Sequence, residues 1–372
     1  MEYLKNKHIA LFFSYKVSLN VWEDLGMITR ESRIWGILWK NFNKVSFITY
    51  GNKNEEVFGK HFPSIKLLNN KWNLNPATYS IFLPFLYKKE LMNIDLYKVN
   101  QVSGALPAII SKILYKKKLI IRCGFQLSLF LKKQKENIIK IFLALVLERI
   151  SFYMADVIIV TSIKDREYIG AYHKVNFHKI KVISNGIDTE LFNILEGIKK
   201  ERGRILFVGR LIRQKNLFSL LEAVKGLKEI HLVIIGKGYL KEALAQKSKE
   251  YRVNVTFIER IKNEELPIEY NRSELFILPS LFEGNPKVLL EAMACGLPVI
   301  CTDVDGMNTI VQHGVNGMLC QSHDESMKNS ILELLNNEGL RKKLGQNARD
   351  TIVSKFSLDM VAEQEIFCYE HL

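Results

Sequence analysis

Short β-branched runs recur along this chain, and longer segments with helical periodicity lie between them. In the first half they are 8–13, 44–50, 118–122, 157–162 and 180–184; in the second, 204–209, 231–236, 254–258, 275–279 and 298–302. Helical patterns such as 216–227 and 326–353 separate them. A strand followed by a crossover helix returns to the same end of a sheet, so this alternation predicts parallel sheets. No run shows the polar–apolar alternation of a central antiparallel strand. At 372 residues the chain is too long for one ordinary core, so two domains are expected.

The expected division follows the Asn185-Gly186 turn signal, where 188–203 ends in a charge run. It gives an α/β chain of two doubly wound, Rossmann-like domains, 1–187 and 188–353, with a helix over 354–372 packing back on the first. Such sheets bind ligands beyond the carboxyl ends of their strands, so a cleft between the two is the expected site.

Hydrophobic residues at 48% and charged residues at 25% describe a globular chain. The five cysteines are odd in number and form no CxxC, the pattern of free thiols in a reducing compartment. Residues 1–13 read as a first strand, being too short for a signal segment. The longest apolar stretch, 138–150, contains Lys140 and ends in Glu148-Arg149, too short and too charged to span a bilayer. A cytoplasmic chain is the expectation.

The net charge of +14 is uneven. Residues 1–196 hold 29 lysines and arginines against 16 acids, whereas the remainder hold 24 against 23. A basic first half suggests an anionic counterpart. No nucleic-acid motif accompanies the charge. The segments 109–118 and 125–142 interleave lysines with leucine, isoleucine and phenylalanine, which suits the anionic inner face of a membrane.

Chemistry gathers in the second half. Gly209-Arg210 closes one run, Lys215 follows, and Asn216 can cap the next helix. Two cations beside a helix start favour a polyanion. The glycines of 236-GKG-238 mark another strand-end turn, without a dinucleotide fingerprint. The stretch 279-PSLFEGNPKVLLEAMACGLPVICTD-303 carries Glu283 in a loop and Glu291 on the following helix. Asn285 is the expected cap and Pro286 the first-turn residue. The Lys287 and Val288 amides would stand among the unpaired donors of that turn. Asp303-Val304-Asp305 follows a strand and is not expected to hold a metal. His173 and His178 are expected at the surface.

These residues carry a resemblance. The stretch 283-EGNPKVLLE-291 resembles the Glu-x7-Glu signature of retaining GT-B glycosyltransferases, the large family-4 group. The segment 207-FVGRLIRQKN-216 resembles that family's phosphate-gripping Arg and Lys, and 155–169 and 182–192 resemble its flanking segments. The resemblance implies a GT-B fold and transfer of a sugar from a UDP- or GDP-sugar donor to a glycan or lipid-linked acceptor, in cell-envelope polysaccharide assembly. It implies retention by same-face attack, no cofactor and no metal. Arg210 and Lys215 would grip the diphosphate with the Lys287 and Val288 amides. Glu291 would hold the ribose, Glu283 the transferred sugar and Ile261 the base, with Asn285, Gly209 and Gly236 shaping the site. The chain departs from the pattern at Asn285-Pro286, where members often have Phe-Gly, at Arg260, where a glycine usually ends the strand, and at Cys123, where many carry a catalytic histidine. Arg122 and Cys123 are the acceptor-side candidates. An epimerase of GT-B fold and an inactive nucleotide-sugar-binding protein remain as alternatives.

Overall fold

The computed structural model describes residues 3–372, with the side chains of Arg30 and Lys133 set aside. Two sheets frame the chain, and every strand pairing given among the described residues is parallel. The first unit comprises residues up to Ser184 together with Val361–Leu372; the second is Asn185–Met360.

The first unit's strands are β1 (His8–Phe12), β2 (Lys44–Ile48), β3 (Ile65–Leu68), β4 (Leu96–Val99), β5 (Lys118–Cys123), β6 (Val157–Val160) and β7 (Ile180–Val182). They lie in the order β3-β2-β1-β4-β5-β6-β7. The second unit's strands are β8 (Arg204–Val208), β9 (His231–Ile235), β10 (Val255–Ile258), β11 (Leu275–Leu278), β12 (Val299–Thr302) and β13 (Met318–Cys320), ordered β10-β9-β8-β11-β12-β13. In each sheet the order reverses once, between β1 and β4 and between β8 and β11. Loops diverge at such a point and leave a crevice at the carboxyl ends of the two strands.

The expected runs all form strands. Three further strands, β3, β4 and β13, lie outside them. The strands are wrapped on both faces. Ile9, Leu11 and Phe13 enter one core with Trp22 and Trp35, while Ala10 and Phe12 enter another with Tyr79 and Tyr97. In the second unit β8, β11 and β12 are buried throughout. All five cysteines are free, and Cys123, Cys295, Cys301 and Cys320 are buried.

The last helix, Leu358–Glu370, sends Val361, Ala362, Ile366 and Tyr369 into the first unit's core. Its Glu365 is buried and pairs with Lys98 of β4 and Arg122 of β5, and the Tyr369 hydroxyl donates to it. Burial opposes a charge there, yet Lys98 and Arg122 hold the Glu365 carboxyl well below the usual carboxylate range.

His173 corrects an expectation: it is buried, not at the surface. It packs between Phe152 and Tyr168, 3.9 Å from the Glu148 carboxylate. Burial first, then Arg149, pushes its ring down to about 4. His178 is exposed, as expected. No helix among the described residues is long and apolar enough to cross a membrane.

Candidate functional site

The switch point of the second unit lies where the loops after β8 and β11 leave adjacent strands. Both loops carry residues singled out above. After β8 the backbone passes through Gly209 and lies against the end of β9, with Gly209 N–H donating to Ile235 O at 2.9 Å and Leu211 N–H to Lys237 O at 2.8 Å. A Cβ on Gly236 would overlap the Gly209 carbonyl oxygen, and one on Gly238 the Leu211 carbonyl oxygen. The physical role of 236-GKG-238 is therefore clearance: only hydrogen fits where the first loop crosses.

That loop closes in a 3-10 turn, Arg213–Lys215, which turns Lys215 inward. Its ammonium pairs with the Glu283 carboxylate from the loop after β11. Two more bonds stitch the loops together: Gln214 Nε2 donates to Phe282 O at 2.8 Å, and Leu281 N–H donates to Gln214 O at 2.8 Å. Lys215 and Glu283 are both nearly enclosed. Their attraction acts in a lower effective dielectric than at the surface, where it would be worth little. The Arg210 guanidinium is exposed beside them in sequence, on the same loop. From below, Gly306, at φ +85°, presses on the Glu283-Gly284 turn so closely that a Cβ would overlap the Gly284 carbonyl oxygen.

The helix after this turn is Lys287–Ala294. Two capping expectations need correction. Pro286, not Asn285, occupies the N-cap position, and it offers no side-chain acceptor. Asn285 is instead tied to the start of the unit: Asn185 N–H donates to its Oδ1 at 3.2 Å, and Asn185 Nδ2 donates to its carbonyl at 2.9 Å. Asn216 sits before its helix at φ 52° and makes no cap bond. Its amide donates to Ser322 O at 2.8 Å.

Glu291 lies on the second turn of Lys287–Ala294 and is buried. The Tyr270 hydroxyl donates to its Oε2 at 2.9 Å. Tyr270 is itself fully buried, and burial first, then the Glu291 charge, raises its phenol well above the ordinary value. The phenol thus stays protonated and fixes one carboxylate oxygen as an acceptor. Tyr270 belongs to the helix Leu266–Arg272, and no motif in the sequence points to it. Val288 and Ile261 are half-buried against the same core. Asp303 accepts from Asn308 Nδ2 at 2.9 Å.

The other two candidates, Arg122 and Cys123, belong to the first unit. Arg122 pairs with Glu365 and donates to the Ser184 carbonyl at 3.0 Å. Cys123 is wholly buried, its thiol donating to Phe125 O at 3.1 Å, and burial pushes that thiol up. The structure thus joins Lys215 to Glu283 and places Glu291 on the adjoining helix, while Arg122 and Cys123 are engaged inside the first unit.

Comparisons with known proteins bear on this arrangement. The family model "Glycosyl transferases group 1" matches residues 190–351, and "Glycosyltransferase Family 4" matches residues 40–191. The chain is 30% identical over 288 residues to the N-acetylgalactosamine-N,N'-diacetylbacillosaminyl-diphospho-undecaprenol 4-alpha-N-acetylgalactosaminyltransferase of Campylobacter jejuni, covering 74% of this chain and 78% of that one. It is 31% identical over 201 residues to the UDP-Gal:alpha-D-GlcNAc-diphosphoundecaprenol alpha-1,3-galactosyltransferase of Escherichia coli, covering 48% of this chain and 51% of that one. The chain spans between 51% and 65% of the length of this and three further curated relatives. The Anabaena protein HepE, solved in complex with UDP and glucose, shares the fold with a TM-score of 0.77 at 17% identity, covering 99% of this chain and 100% of that chain.

Proposed function

This chain belongs to the GT-B glycosyltransferases, and from that premise we propose that it moves a sugar from a nucleotide diphosphate donor to a glycan or lipid-linked acceptor in cell-envelope polysaccharide assembly. One observation carries the reading. Lys215 and Glu283, from loops of adjacent strands at the switch point, meet as an enclosed pair. The relatives' lipid-linked acceptors favour the same class of acceptor here.

In this reading the donor lies along the start of the helix Lys287–Ala294. Arg210 and Lys215 meet the diphosphate, with the Lys287 and Val288 amides as further donors. Glu291, oriented by Tyr270, holds the ribose hydroxyls, and Ile261 lines the base. Glu283 accepts from the transferred sugar and steadies Lys215. As the glycosidic bond breaks, charge grows on the departing diphosphate and the two cations stabilise it. At an effective dielectric near 20, one cation about 4 Å from one phosphate charge is worth roughly 4 kcal/mol before desolvation. The cations supply the charge that a metal would otherwise bring, so the proposed reaction is metal-independent. Attack from the face the phosphate leaves, with the phosphate taking the acceptor's proton, retains the anomeric configuration and needs no protein nucleophile.

The test is transfer of labelled sugar from UDP- and GDP-sugars to a lipid-linked glycan. Wild type should transfer label from one donor, and Lys215→Ala should lower turnover by about 100-fold or more in a chain that circular dichroism still finds folded, with a lowered melting temperature because Glu283 loses its partner. Undiminished transfer by the variant would displace the phosphate site from this loop. Epimerised free sugar in place of transferred label would assign the chain a different reaction.

A further inference from the structure

The helix Ile138–Met154 is built inside out. Its buried residues are Ala144, Glu148, Ser151 and Phe152, two of them polar. Glu148 is 0% exposed, and Ser128 donates to it through its backbone N–H at 3.1 Å and through its hydroxyl. Apart from Phe152 and the half-buried Leu147 and Met154, many of its large apolar side chains point the other way. Ile139, Phe142, Leu143, Val146, Ile150 and Tyr153 are all exposed, Phe142 at 62% and Tyr153 at 79%. Positions three and four apart share one face of a helix, so these residues form a stripe along its full length. A helix that is apolar on nearly every side is normally buried; this one has bonded its acid inside and left much of its hydrocarbon outside.

The charges that remain outside are of one sign. On this helix the exposed charged residues are Lys140 and Arg149, and the segment leading into it adds Lys132 and Lys135. Glu136 stands beside Lys140 and pairs with it at 2.9 Å. The whole first unit carries 29 lysines and arginines against 16 acids. The neighbouring helices continue the apolar character: Ala105–Tyr115, which packs on this helix, exposes Ile113, and Pro76–Leu86, which packs on that one, exposes Phe82 and Phe85.

We propose that the outer face of helix Ile138–Met154 docks on an anionic phospholipid bilayer. The helix lies flat in the interface, with the Ile139–Tyr153 stripe below the headgroups and Lys132, Lys135, Lys140 and Arg149 against the lipid phosphates. Charge complementarity selects this occupant. A second copy would bring the same positive charges onto themselves. The inference does not depend on the transferase reading, and its assay contains neither donor nor acceptor.

The test is co-sedimentation of the full chain with phosphatidylglycerol-containing vesicles and with pure phosphatidylcholine vesicles at low salt. Wild type should bind the anionic vesicles at least tenfold more than the neutral ones. Ile139→Ser/Phe142→Ser should lower anionic binding about tenfold or more, and Lys135→Glu/Lys140→Glu should do the same without touching the apolar stripe. All four substituted side chains are exposed, so melting temperatures should match wild type. Absence of wild-type binding, or full binding by both variants, overturns the proposal. So does light scattering that finds a dimer which Ile139→Ser/Phe142→Ser splits, since the face would then be a seam between copies.

Discussion

Tyr270 shows what a single buried hydroxyl can do at this site. Its donation to Glu291 leaves that carboxylate aimed, and loss of one such bond to a charged group costs about 1.5–3 kcal/mol. Tyr270→Phe should therefore weaken donor binding roughly 10-fold or more while turnover at saturating donor changes less. A titration with nucleotide diphosphate checks this, and unchanged affinity would detach Glu291 from the donor. Gly236→Ala makes a different demand. Its Cβ would occupy the space of the Gly209 carbonyl, so the Arg210–Lys215 loop must shift. Activity should fall to background even though no functional group is removed, and a near-normal rate would show that the loop yields without consequence. The placement of Glu283 in a loop and of Glu291 on the following helix was legible in the sequence, because a strand end and a proline at the helix start bracket them. Tyr270 was not, because its partner lies 21 positions away on another helix. Asn285 was misread as a cap because local sequence does not show that Asn185 claims it.

At the scale of elements, strands were legible where apolar runs are unbroken. Strand β4 was missed because Lys98 interrupts Leu96–Val99, although the lysine is buried. What allows a lysine there is Glu365, 267 positions away, which no local pattern reveals. Strand β13 is three residues long, below the length at which a run stands out. His173, on the residue that ends the helix Ile163–Tyr172, was likewise read as exposed when tertiary packing buries it. That burial has a pH signature. The folded ring titrates near 4 and an unfolded histidine near 6.5, so the neutral ring's contribution is complete above about 6.5. As pH falls from there toward 4, the unfolded chain takes up a proton that the folded one refuses, and stability drops by about 2–3 kcal/mol. Melting temperatures of His173→Phe should fall less steeply than wild type between pH 6.5 and 4.5. Parallel curves would assign the acid sensitivity to other groups.

At the scale of the whole chain, the division into two α/β units was legible from the alternation of runs, but the crossing of the last helix into the first unit rests on long-range pairing. Glu365→Ala leaves Lys98 and Arg122 without their shared carboxylate, and breaking such a buried pair costs about 3–5 kcal/mol. The folded carboxyl titrates below its unfolded value, so its stabilisation is present above about pH 4.3 and is lost as pH falls through the folded value. Removal of residues 361–372 should destabilise the first unit while nucleotide still raises the melting temperature of the second. Hydrogen exchange resolved by segment checks this, and equal loss of protection in both units would contradict it.

The route of the chain also sets an order of events during synthesis. The first unit's sheet is complete once residue 182 has been made, yet part of its core arrives only with residues 361–372. At 5–20 residues per second the ribosome needs roughly 10–40 s to deliver that last piece. Through that interval Lys98 stands in a nascent apolar core with its carboxylate not yet translated, so the domain that emerges first is the one that finishes last.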